Sequence, residues 1–164
     1  MGESTVSQDV CVVERTFDAP AALVWEMWTQ PEHFKKWYGP KGFSIPVAEI
    51  DVQVGGKHLI CMEMPRPDGT MKMWFTGEFT EIIPNKRLVF TDSMADENGN
   101  VVAPSAYGMS GDHPHETVVT VEFEDLGDRT KLTLTHTGVP ASAKSGWEQA
   151  FEKMADYMTA INAS

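Results

Sequence analysis

Five histidines, two cysteines and a surplus of carboxylates are the side chains through which this sequence could do chemistry. An imidazole titrates near neutrality, so each histidine is a candidate general base, ligand-orienting group or metal ligand. His136 closes a run of alternating residues and points, by that alternation, to the apolar side. Its ordinary reading is a buried histidine bonded to a neighbour. His113-Pro114-His115, taken with His58 or His33, is the grouping that suggests a metal. No cysteine or second histidine pair completes a tetrahedral set there, so no metal and no cofactor is expected. Asp92 also falls on an apolar face, as a partner for Arg15 or His58 or as a general base.

The remaining motifs for catalysis are missing. No Gly-x-Ser-x-Gly elbow occurs, and Ser110-Gly111 lacks its flanks. Gly55-Gly56-Lys57 lacks the four-residue arc and the hydroxyl of a phosphate loop. No dinucleotide fingerprint occurs, and no carboxylate pair stands out. Cys11 and Cys61 form neither a disulfide framework nor a Cys-x-x-Cys site, and read as two reduced, buried thiols in a cytoplasmic protein.

The chain has 164 residues with 13 Lys+Arg against 24 Asp+Glu, a formal net charge of −11. That length is one domain's worth, and the acidity disfavours nucleic acid and anionic membranes as partners. No stretch reaches the length of a membrane span. Residues 1–9, MGESTVSQD, read as a disordered lead-in rather than a signal peptide. Residues 10–162 read as the single domain.

The elements that position these groups follow from spacing. Residues 10–18 predict a strand. A helix follows, with Asp18 as N-cap and Pro20 in its first turn, carrying Leu23, Val24, Met27 and Trp28 at helical spacing. Thr29 and Glu32 suggest a capping box for a second short helix through Phe34 and Trp37. Six strands are predicted over 44–52, 57–64, 71–83, 87–94, 115–124 and 130–137. Gly55-Gly56, Asp68-Gly69, Pro84-Asn85-Lys86 and Gly127-Asp128 are the turns between them. After Pro140, a capping box at Ser145 and Glu148 opens a long helix. Its apolar stripe is Trp147, Phe151, Met154, Met158 and Ile161. Residues 95–114 are the one long irregular stretch.

Five segments in this order carry a resemblance. They are FDAPAALVWEMWTQPEHFKKWYGPKGF, DVQVGGKHLICMEMPRPDG, GEFTEIIPNKRLVFTD, LTLTHTGVP and SGWEQAFEKMADYM. Together they resemble the SRPBCC (START-like) superfamily, in its bacterial branch named after the activator of the Hsp90 ATPase. The resemblance implies an α+β helix-grip fold. In that fold a curved seven-stranded antiparallel sheet holds a long C-terminal helix, with a cavity between. It transfers activity poorly, because one fold hosts many functions.

Strand parity then selects the residues that face such a cavity. One face of 71–83 is Met71, Met73, Phe75, Gly77 and Phe79, with Gly77 letting the helix approach. Neighbouring runs add His58, Ile60, Met62 and Met64, then Leu88, Phe90, Asp92 and Met94, then His136. Methionine adapts to varied apolar guests. The expected ligand site is Trp37, Phe43, Met62, Met64, Met73, Phe75, Phe90, Asp92, Tyr107, His136, Trp147 and Phe151. His136, Asp92 and Tyr107 orient the ligand, while the 37–43 segment and the 95–114 loop gate it. The expected function is binding of a small hydrophobic or aromatic molecule without catalysis. The alternatives are a cyclase, dehydratase or hydrolase in the same cavity, or a chaperone-interacting protein. Homodimerisation is left open.

Overall fold

The computed structural model describes residues 10–103 and 116–162. Strand β1 is Val10–Phe17, followed by α1, Ala21–Thr29, and the single-turn α2, Pro31–Phe34. Six strands follow: β2 Ser44–Ile50, β3 Lys57–Arg66, β4 Gly69–Ile83, β5 Arg87–Ala95, β6 Thr117–Asp125 and β7 Thr130–Thr137. A 3-10 turn, Ala141–Ala143, leads into α3, Lys144–Asn162.

The seven strands form one antiparallel sheet in the order β1-β7-β6-β5-β4-β3-β2. Consecutive hairpins build β2 to β7, and β1 closes on the far side by pairing with β7. Cross-strand partners share a face, so the register fixes which side chains meet. Ile60 stands opposite Phe75, Phe79 opposite Phe90, and Val119 opposite His136. In β4 the register slips between Phe79 and Glu81. That bulge brings Ile82 back to the inner face opposite Leu88.

Helix α3 lies against the inner face. Its 19 residues span about 28 Å. Phe151, Met154 and Met158 are buried, and Trp147 and Ile161 are partly buried, as the stripe requires. Phe151 meets Phe17 edge-on at 5.8 Å and Trp28 at 6.3 Å. Burying one such ring removes enough apolar surface from water to contribute about 2–3 kcal/mol. Trp28 and Trp37 pack edge to face at 4.7 Å, joining α1 to the segment after α2.

Local details depart from the sequence-based expectations. The N-cap of α1 is Pro20, with no side-chain cap from Asp18. Thr29 does not cap α2; its hydroxyl donates backwards to the Trp25 carbonyl, and Gln30 takes the cap position. Ser145 lies inside α3, which starts one residue earlier off the 3-10 turn. The turn after β2 runs from Asp51 to Gly56 rather than through two glycines alone. Gly77 serves the sheet rather than the helix. A Cβ there would stand 1.8 Å from the Thr91 carbonyl oxygen and 2.5 Å from His58 Nε2.

Candidate functional site

Between the inner face of the sheet and the first half of α3 lies a cavity of about 390 Å³. The sheet contributes Met62, Phe75, Asp92 and His136. Helix α3 and the turn before it contribute Ala143, Gly146, Trp147 and Ala150, and the segment after α2 closes the rim with Tyr38, Gly39 and Pro40. Ala143, Gly146 and Ala150 on the helix side leave the space open beside Trp147. The rim is fastened to α3. Lys153 Nζ donates to the Tyr38 and Pro40 carbonyls at 3.3 and 3.2 Å, and the Lys41 amide donates to Gln149 Oε1 at 3.0 Å. Lys41 also pairs with Glu152.

One polar network crosses the cavity wall. The Trp147 indole N–H donates to His136 Nδ1 at 3.2 Å. Nδ1 therefore offers a lone pair, and the ring proton sits on Nε2. Nε2 donates to Thr117 Oγ1 at 2.9 Å, and that hydroxyl donates on to the Asp92 main-chain carbonyl at 3.2 Å. Every donor is used once. Burial lowers the His136 pKa to about 4, so the ring stays neutral near pH 7. With both nitrogens engaged, His136 is an orienting group for the wall and has no free lone pair for a general base.

Asp92 is different. Its Oδ1 is sealed from solvent and has no hydrogen-bond partner among the described residues. Neither Arg15 nor His58 pairs with it. His58 Nε2 instead donates to the Thr91 carbonyl at 3.0 Å, and burial lowers its pKa. Burial without a counter-charge raises the Asp92 pKa to about 8. Tyr38 stays a neutral phenol, its pKa raised well above the ordinary value by burial and secondarily by Asp92.

The structure brings five of the expected site residues to the cavity wall: Met62, Phe75, Asp92, His136 and Trp147. Trp37 is not at a mouth. It is fully buried, with its indole N–H donated to the Met27 carbonyl at 2.9 Å. Phe90 and Phe151 are core residues outside the lining. Met64 lies further along β3, with its Cε 3.4 Å from where a Gly42 Cβ would stand, and Met73, the cross-strand partner of Met62, is outside the lining. Phe43 packs beside Gly39 behind the rim. Tyr107 lies outside the described residues, as do His113, His115 and most of the 95–114 loop. Of the other histidines, His33 bonds the Tyr157 hydroxyl at 2.7 Å. Among the described residues, no three His, Cys, Asp or Glu side chains are grouped to hold a metal. Both cysteines are free and buried.

The residues missed as lining are Tyr38, Gly39, Pro40, Ala143, Gly146 and Ala150. Tyr38 had been legible as a neighbour of the mouth. Ala143, Gly146 and Ala150 carry no signal of their own, because a wall made of small residues looks like ordinary helix packing.

Known proteins share this architecture. A protein from Nitrosomonas europaea superposes with a TM-score of 0.73 at 22% identity, over 98% of this chain and 100% of that one. A protein from Arthrobacter aurescens matches with a TM-score of 0.67 at 27% identity, over 93% of this chain and 90% of that one. The AHSA1 protein from Silicibacter pomeroyi matches with a TM-score of 0.67 at 20% identity, over 92% and 97%. No curated protein matches the chain. No helix among the described residues is long and apolar enough to cross a membrane. The family model described as "Activator of Hsp90 ATPase homolog 1-like protein" matches residues 18–159. With that span covering most of the sequence, and the seven-stranded sheet holding one long helix, the chain belongs to this family.

Proposed function

We propose that the protein binds a small apolar or aromatic molecule in the cavity between the sheet and α3. The observation that carries this reading is the 390 Å³ of space behind an apolar wall. The space opens at the rim, and left unfilled it exposes apolar surface that a ligand would cover. Ligand sites fall in the range of about 300–1,000 Å³, mostly apolar with a few placed polar groups. Phe75, Trp147, Met62 and Tyr38 would supply the apolar contact, at about 25 cal/mol per Å² buried before ordering costs. Asp92 would supply the orienting polar contact. The neutral, fully bonded His136 supports binding over acid–base catalysis.

The test is mass spectrometry of an organic extract of protein purified from its native host, paired with titration of an aromatic probe. The reading expects a co-purifying small molecule and saturable probe binding. Neither a molecule nor saturable binding would overturn it. Family membership favours a second reading, contact with a chaperone ATPase. Unchanged ATPase rates on mixing with the chaperone of the same host would remove it.

A further inference from the structure

The cavity wall holds a carboxyl whose Oδ1 lacks every partner the protein could offer among the described residues. A sealed carboxyl oxygen needs a hydrogen-bond donor or a counter-charge, and a missing one is costly. No counter-charge stands in the lining, and the Tyr38 hydroxyl makes no hydrogen bond to Oδ1. The lining contains no Lys or Arg, and its one imidazole is already bonded through both nitrogens. We propose that the carboxylate's missing counter-charge comes from the ligand, and that the cavity selects a protonated amine on an apolar body. Its ammonium N–H groups donate to the Asp92 carboxylate, and its body packs against Phe75, Met62 and Trp147. The inference rests on the cavity-binding reading above and names its ligand class.

Three further observations agree. A ligand carboxylate or phosphate would enter a wall without a cation and meet Asp92 itself. The aromatic rings of Tyr38, Phe75 and Trp147 attract a cation rather than an anion. The net charge of −11 draws cations toward the molecule. A neutral alcohol could also donate to Asp92, but an ammonium–carboxylate pair is charge-assisted and stronger.

Binding then carries a proton balance. Asp92 is protonated near pH 7 for want of a counter-charge. The arriving ammonium favours the ionised form, so the carboxyl proton leaves to solvent as the pair forms. The titratable groups packed around it are Tyr38 from the rim, His58 from β3 and His136 from β7, all neutral through this range. From α3, Lys153 is held by the rim carbonyls, and Lys144 and Glu148 lie toward Cys11 on β1.

The experiment is calorimetric titration of the full chain with phenylbutylamine, phenylbutanol and phenylbutyrate at pH 6.5 and 8.5. A primary amine of this kind stays protonated at both values. The amine is expected to bind at least tenfold more tightly than the alcohol or the carboxylate at pH 8.5. It should weaken on the order of twentyfold at pH 6.5, while the alcohol changes less than threefold. In Asp92→Asn the amine should fall to the level of the alcohol at both pH values. An alcohol or carboxylate within threefold of the amine, or amine affinity retained in Asp92→Asn, would overturn the inference. If only the alcohol binds, the inference falls and the cavity reading stands. If none of the three binds, both fall. Should Asp92→Asn fail to fold, the three-probe comparison on the wild-type protein decides alone.

Discussion

The Trp147 indole N–H donates to Nδ1 of His136 at 3.2 Å, from α3 to β7, and so fixes the tautomer of the one imidazole in the cavity wall. The bond ties helix to sheet at the point where the two separate to leave space. It also leaves Nε2 as the donor to Thr117.

Trp147→Phe keeps an aromatic ring and removes that donor. A buried acceptor left unpaired costs about 1–3 kcal/mol. Denaturant unfolding should show a loss in that range. Nitrogen NMR of His136 should lose the single Nε2–H tautomer seen in the wild-type protein. Unchanged stability together with an unchanged tautomer would mean that the bond does not hold the ring.

The two buried titratable groups of the wall pull stability in opposite directions with pH. His136 has its pKa lowered to about 4, so the unfolded chain takes up its proton first as pH falls. The advantage of wild type over His136→Gln should be complete above about pH 6.5. It should shrink by about 3 kcal/mol on descending to pH 4. Asp92, raised to about 8, keeps a proton that the unfolded chain has already released. Asp92→Asn should therefore gain on wild type as pH rises from about 4 to 8, by several kcal/mol, and gain no more above that. Urea unfolding of the three proteins across this range checks both slopes.

Gly77 is the tightest point of the sheet. Its missing side chain admits the Thr91 main chain, whose carbonyl oxygen lies 1.8 Å from where a Cβ would stand. Neither backbone nor the packed His58 ring can give way that far. Gly77→Ala should destabilise by more than about 3 kcal/mol or prevent folding, measured by circular dichroism and thermal melting. A melting temperature near that of the wild type would show that β4 and β5 can part without cost.

Much of this architecture was legible in the residues. Alternation along β4 put Phe75 and Phe79 on the inner face, and the α3 stripe named Phe151, Met154 and Met158 as buried. The same patterns place the acidic surplus outward, as the exposed Glu78, Glu122, Glu124, Glu152 and Asp156 show. Depth was not legible. Parity says which face a residue takes, not how far along the strand the helix stands off. So Met62 lines the cavity while Met64, two residues further along the same face, does not; Met73 stands directly opposite Met62 and is also outside the lining. Trp37 was drawn to the core by a bond to the Met27 carbonyl, which no local pattern announces. Gly146 and Ala150 shape the cavity by what they lack, and a lack leaves no mark in a sequence read alone.

That last point supplies the most direct test. A Cβ at Gly146 would meet only Pro40 Cγ, at an ordinary 3.5 Å, so a larger side chain can be placed there without disturbing the backbone. Replacing a helical glycine also favours the helix by about 0.5–1 kcal/mol. Gly146→Leu should fold and melt at or above the wild-type temperature with its side chain occupying the cavity. Titration calorimetry with phenylbutanol is the measurement. The account predicts saturable one-to-one binding to the wild-type protein and at least tenfold weaker binding to Gly146→Leu. No binding to the wild type, or equal binding to a folded Gly146→Leu, would contradict it.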